Sequence, residues 1–282
     1  MPDYFKLKSF IVFTILLSTN LIYSQSHNKF IPIDVFSLEY VSNPKISPDG
    51  KKVLYVRNFK DIMTDKNHSN IWIIDYDGKN NTPLTTGNKN DFDPTWSNSG
   101  DKFTYKSDSD DTVQLYLYVL SQKSNQKLTN LQNSVSSVDW SEDDKYLVFT
   151  SFVEKPSVSL IKMPEKPKGA NWNDPASEID GIKYRSDGRG YLNQGFSQVF
   201  ILPTEGGTPR QITFLNNNAS SPKWLAKNKI IFSANLHKDS DLEPRNSEIY
   251  SVNIISEKIT PLTSRLGPDY SPVVSPDKNE IA

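Results

Sequence analysis

The sequence predicts an all-β fold, an incomplete β-propeller of four four-stranded blades plus the start of a fifth. Three observations carry that reading. Five segments repeat one pattern: "KISPDGKKVLYV" from Lys45, "TWSNSGDKFTYKS" from Thr95, "DWSEDDKYLVFTS" from Asp139, "KWLAKNKIIFSA" from Lys223 and "VVSPDKNEIA" from Val273. Each has an apolar or Trp position, a polar turn of about four residues, a Lys or acid, and an alternating apolar run. A second set follows the first: "NIWIIDYDGKNNTPLTTG", "QLYLYVLSQKSNQKLTN", "QVFILPTEGGTPRQITF" and "EIYSVNIISEKITPLTS". These read as a strand, a hairpin turn and a short strand ending in Leu-Thr or Ile-Thr. The two sets keep step. Turn positions Ser47, Ser97, Ser141, Leu225 and Ser275 are 50, 44, 84 and 50 residues apart, and the closing Thr85, Thr129, Thr213 and Thr263 are 44, 84 and 50 apart. Four strands per repeat of about 44 to 50 residues is propeller arithmetic.

The elements follow in chain order. Residues 1–24, with Lys6 and Lys8 ahead of the apolar run Phe10–Leu17 and cleavage expected after Ser24 or Ser26, have the layout of a secretory signal peptide. An N-terminal membrane anchor is the competing reading, but the run is short for a bilayer. Residues 25–37 form a lead-in in which "IPIDVFSLEYVS" suggests a short helix capped by Asp34. The blades are expected at about 38–87, 88–131, 132–215 and 216–267, with 268–282 opening the fifth.

The turn wording has a physical cause. In Ser47-Pro48-Asp49-Gly50 the serine accepts locally, the proline presets φ, and the glycine permits a left-handed residue before the next strand. Gly100, Asn228, Asp144 and Lys278 stand in the place of Gly50, the last two least suited to that conformation. The third strand of the second blade is apolar on both faces (Leu115, Leu117 and Val119 against Tyr116, Tyr118 and Leu120), as a strand between two blades requires. A β-sandwich with coincidental spacing is the alternative. The third blade carries a long insert, 152–196, whose prolines exclude a long helix. Its Trp172, Tyr184, Tyr191 and Phe196 are expected to anchor it on one face of the propeller.

Composition narrows function. A net charge of −1, with 23% charged residues of both signs, argues against nucleic acid and against an anionic membrane surface. Cysteine is absent, so disulfides and thiolate chemistry are excluded. No cofactor and no metal are expected. His27, His68 and His237 are the only histidines, none beside a serine motif, and "GFSQV" at Gly195 lacks the second glycine of a nucleophile elbow. "DYDGKN" from Asp75 places its glycine too early for a calcium loop and reads as an Asp-Gly hairpin. "SDSDD" from Ser107 reads as a solvated turn, and "GRGYLN" is too short for a dinucleotide loop.

"SPDGKKVLYV", "KYRSDGRGYLNQGFSQVFILPTEGGTPRQIT" and "EPRNSEIYSVN" together resemble the N-terminal propeller of secreted serine peptidases of the prolyl oligopeptidase family, nearest the acylaminoacyl peptidase and dipeptidyl-peptidase V-like branch. The resemblance spans about residues 30 to 282. The first phrase alone is shared with TolB-like propellers and WD-like repeats. The resemblance implies a seven- or eight-bladed propeller that restricts entry to a C-terminal α/β-hydrolase domain, where Ser, His and Asp cleave short peptides. No such domain lies within these residues, so no catalytic residue is carried over and no substrate-contact residue is assigned. The expectation is an amino-terminal part of a secreted or periplasmic bacterial serine peptidase, inactive alone, whose peptide substrates meet the missing domain. The alternative is a non-enzymatic TolB-like periplasmic propeller that binds partner proteins. A short protein that closes its ring by dimerising is a third reading.

Overall fold

A computed structural model describes residues 29–156, 164–173, 179 and 181–282. The expected signal peptide and His27 lie outside them. Residues up to Leu38 form a unit of their own. There Pro32–Ser37 make a 3-10 turn, and the Asp34 carboxylate accepts the Ile31 N–H at 2.9 Å. The expected cap is therefore corrected in position: Asp34 sits inside the turn and reaches back, because Pro32 already fixes the entry.

From Glu39 onward four antiparallel four-stranded sheets follow one another. The first holds β1 (Tyr40–Ile46), β2 (Lys52–Asp61), β3 (Lys66–Asp75) and β4 (Thr82–Pro83). The second holds β5 (Asp91–Trp96), β6 (Lys102–Ser107), β7 (Gln114–Val119) and β8 (Ser124–Lys127). The third begins with β9 (Val135–Trp140) and β10 (Tyr146–Glu154). After a small hairpin, β11 (Arg185–Ser186) with β12 (Gly190–Tyr191), it resumes with β13 (Gly195–Pro203) and β14 (Arg210–Gln211). The fourth holds β15 (Ala219–Ala226), β16 (Lys229–Ala234), β17 (Glu248–Asn253) and β18 (Ile259–Pro261). A single antiparallel bridge, Val274 to Ile281, opens the next repeat.

Burial explains why the strands are apolar on both faces. In β10, Leu147 and Phe149 pack with Leu115 and Leu117 of the second sheet, whereas Val148 packs with Ile230 and Phe232 of the fourth. Leu54, Val56 and Ile71 meet Phe103 and Tyr105 in the same way. Successive residues of one strand point to opposite faces, so each middle strand serves two interfaces. Every such fully buried side chain contributes about 1.5–3 kcal/mol.

The innermost strand of each sheet carries a β-bulge. Registers shift between Ser42 and Lys45, Phe92 and Thr95, and Ser220 and Lys223, and opposite β9 between Val148 and Thr150. At each bulge a small polar residue takes positive φ: Asn43, Asp93, Ser137 and Ser221, with Ser271 in the fifth repeat. A bulge bends and twists its strand, which suits the tightest part of the blade.

The serine turns form as the sequence predicts in blades one to three and in the fifth repeat. Ser47 Oγ donates to Asp49 at 2.6 Å and accepts the Lys52 N–H at 2.9 Å; Ser141 and Ser275 repeat this with Asp143 and Tyr146, and with Asp277 and Glu280. Gly50, Gly100, Asp144 and Lys278 all have positive φ. Blade four is a correction. Leu225 lies within β15, only Lys227 and Asn228 separate β15 from β16, and Asn228 is not left-handed. Without the serine there is no side-chain hub to hold a longer turn.

Blades are also tied by their tryptophans. Trp96 Nε1 donates to the Lys45 carbonyl at 2.9 Å and Trp140 Nε1 to the Thr95 carbonyl at 3.1 Å, each one blade back. In blade four the link is different: Asp139 accepts the Trp224 backbone N–H at 3.0 Å and pairs with Lys223 Nζ at 2.9 Å.

Candidate functional site

The two ends of the blades differ. At one end the connections are tight turns. At the other lie the segments 62–65, 108–113, 155–194 and 235–247, joining second and third strands, and the crossovers to each next blade. Variable, longer segments on a repeated scaffold are where a propeller places function.

The floor of this long-loop end is a row of buried polar groups. In blade two, Thr129 Oγ1 accepts the Leu115 N–H at 2.9 Å and donates to Gln114 Oε1 at 2.8 Å, which also accepts the Leu131 N–H. Thr213 and Gln198 repeat the arrangement around Val199 and Leu215. Blade one keeps only half of it: Thr85 accepts the Ile71 N–H, while Asn70 donates to the Gly87 carbonyl. The closing threonine thus satisfies a strand amide that would otherwise be orphaned in the interior. Its partner lies fifteen residues earlier, as Asn70, Gln114, Gln198 and Glu248. That signal was present in the aligned repeats and was missed by a search for catalytic motifs.

Blade four departs from the row. Glu248, 1% exposed, replaces the amide and accepts from Thr263, while its other oxygen lies 3.7 Å from His237 Nε2. Buried Asp269 follows, with the Arg265 guanidinium against it holding its carboxyl below the usual range. Asp269 occupies the place of Asp91 in the first crossover: Ser69 Oγ bonds the Asp91 carbonyl, and Ser247 Oγ bonds that of Asp269. Asp91 is fully buried, with Lys89 Nζ at 3.4 Å. Burial, and next the Asp91 charge, push the nearby Tyr105 phenol well up. Deeper in the innermost strand burial would raise Asp93, but Lys106 at 2.8 Å prevails and holds it low.

His68, also buried, packs at a tilt against the Phe59 ring and lines an open cleft of about 610 Å³ with Asp65, Lys66, Lys89, Asn90 and Asp108. Among the described residues no hydrogen bond joins a histidine ring to a serine hydroxyl, and no three His, Asp or Glu side chains are grouped to hold a metal.

The remaining sequence candidates resolve into structure. Asp75–Asn80 is a hairpin turn in which Gly78 N–H donates to the Asp75 carbonyl and the Asp75 carboxylate takes Lys52 and Asn80. Ser107–Asp111 is a turn exposed from Asp108 to Asp111, with Ser107 buried at its start; Asp108 accepts both the backbone and side-chain N–H of Asn90, and Asp110 pairs with Lys127. Gly195 of "GFSQV" is needed by packing, since a Cβ there would lie 2.3 Å from the Val153 carbonyl oxygen. "GRGYLN" runs through the β11–β12 hairpin. The insert's anchors are a correction. Trp172, Tyr184 and Tyr191 are exposed, the two tyrosines stack on each other at 6.2 Å across the hairpin, and only Phe196, paired opposite Val153 at the base, is half-buried. The two tyrosines find each other across the hairpin rather than a blade face.

Residues 35–171 match the family model described as the TolB beta propeller domain. The "Uncharacterized peptidase YuxL" of Bacillus subtilis (strain 168) is 29% identical over 211 residues, 74% of this chain and 31% of that protein. Dipeptidyl-peptidase 5 of Porphyromonas endodontalis is 22% identical over 137 residues, 49% of this chain and 20% of its own. Among solved structures, the uncomplexed acylaminoacyl peptidase of Pyrococcus horikoshii superposes with a TM-score of 0.60 at 16% identity, covering 86% of this chain and 34% of that one. At that identity the likeness concerns the fold. The chain spans less than a third of the length of the curated relatives it matches. It carries a TolB-like β-propeller domain, and its sequence relatives are named peptidase and dipeptidyl-peptidase.

Proposed function

We propose that this chain is the substrate-gating propeller portion of a secreted serine exopeptidase or oligopeptidase acting on short peptides. The observation that carries the reading is the 29% identity over 211 residues to a protein named as a peptidase, of which the match takes in only 31%. The remainder of such a protein has room for a hydrolase domain, where serine attack, histidine proton transfer and backbone oxyanion donors would do the chemistry. The role of the blades is then exclusion: their loop-bearing end admits extended chains and turns away folded ones. Secretion rests on the leader-like residues 1–24.

The test is made in the host. Antibodies against the fourth blade should recover from the extracytoplasmic fraction a polypeptide that a fluorophosphonate probe labels and that releases dipeptides or acylated residues from short peptides. A recovered product that the probe never labels sinks the peptidase reading. It would favour the second one, a non-enzymatic propeller binding partner proteins, which the TolB family match supports.

A further inference from the structure

The repeat is broken at one place on the tight-turn end, and a cavity has opened there. Elsewhere at this end neighbouring turns touch. A Cβ on Gly100 would meet Pro48 of the previous blade at 3.2 Å, and Asn98 bonds the Ser141 carbonyl and the Asp144 carboxylate of the next. Blade four lacks the serine turn and has only Lys227-Asn228 in its place, across the cavity from Ser141, Glu142 and Asp143. Between blades three and four this leaves a cavity of about 560 Å³. That is the size range of small-molecule sites.

Its walls are apolar: Tyr146, Ile201, Trp224 and Ile254. Three basic side chains, Arg210, Lys227 and Lys278, and two acidic ones, Glu142 and Asp143, complete the lining. The acids nearby are already engaged. Glu142 pairs with Lys278, Asp143 accepts from Ser141 and the Lys145 N–H, and Glu257 takes Arg210 at 3.3 Å in a pair half-exposed on both sides. Lys227 has no ion pair among the described residues, and the shortened turn presents it at the cavity mouth.

We propose that this cavity binds a small carboxylic acid with an apolar, ring-sized body. The body lies against Trp224 and the isoleucines, and the carboxylate meets Lys227; Arg210, anchored by its bond to the Ile254 carbonyl at 2.7 Å, can turn its exposed Glu257 contact to the ligand. The site is at the end of the blades opposite the polar floor, and it stands whether or not the peptidase reading does.

Phenylacetate is the probe, with the full chain labelled by 5-fluorotryptophan. Five fluorine signals arise, from Trp72, Trp96, Trp140, Trp172 and Trp224, and Trp224→Phe assigns the last. The Trp224 signal should shift saturably, with a Kd on the order of 1 mM for so small a ligand. Lys227→Ala should weaken binding roughly tenfold. Ala226→Phe, at an exposed position on the cavity edge, should abolish the shift while the Trp72, Trp96 and Trp140 signals stay in place. A Trp224 signal that stays fixed overturns the proposal. So does an equal response to acetate, which lacks the body, or to phenylacetamide, which lacks the charge. Unweakened binding by the Lys227→Ala chain would overturn it independently of how Ala226→Phe folds.

Discussion

Glu248 shows how much one side chain can depart from a repeat that otherwise dictates it. In blades two and three the residue at this place is a glutamine whose Nε2 donates to the carbonyl of Leu131 or Leu215. The equivalent carbonyl in blade four belongs to Arg265, and a carboxylate cannot donate to it. Glu248→Gln should therefore restore the repeated bond and remove a buried carboxyl group that lies beside Asp269. The expected gain is about 1–2 kcal/mol at neutral pH, read as a higher melting temperature. A variant that melts lower would mean that the carboxylate is held favourably by His237 and Arg265. The aligned repeats made the closing threonines legible as landmarks, but they could not show that each accepts a strand N–H, because its partner is distant in sequence.

Among the elements, the serine turns respond to acid in a definite sense. Asp49, Asp143 and Asp277 are each held below the usual carboxylate range, first by the serine hydroxyl and then by backbone N–H groups. A carboxyl depressed on folding adds stability that is fully present above its unfolded value of about 3.9 and is lost as the pH falls through the folded value. Asp143→Asn should thus melt below the parent at pH 6, and the two curves should converge as the pH falls through the lowered folded value of Asp143. Parallel curves across that range would count against the turn as the source. Backbone approach governs another element: Gly195→Ala, with its Cβ forced onto the Val153 carbonyl at positive φ, should lower the melting temperature by several degrees or abolish soluble expression. Gly181→Ala, which meets nothing within 4 Å, should be silent. The wording of the turns was readable because their bonds span two to five residues. The αL bulges at Asn43, Asp93, Ser137, Ser221 and Ser271 escaped notice because small polar residues also fill ordinary loops.

For the molecule as a whole, the two strands that flank the insert close blade three directly on each other. β10 and β13 pair without interruption from Tyr146–Pro203 to Glu154–Gly195. Replacing residues 155–194 with Asn-Gly should therefore leave the far-UV spectrum and melting temperature close to the parent's. Loss of cooperative melting would show that the insert supports the blades after all. The blade count and the double-faced strands were legible because periodicity survives divergence. The fate of Trp172, Tyr184 and Tyr191 was not, since a sequence shows that rings need cover but not where they find it. The indole bonds carry a last implication. Trp96 and Trp140 each reach back to a carbonyl about one blade earlier, so a chain emerging from the ribosome would always dock its newest blade on a surface already made. At these two joints assembly would then have a direction set at synthesis, while the other face of a blade is covered only when the next one follows, as Val148 is by Ile230 and Phe232.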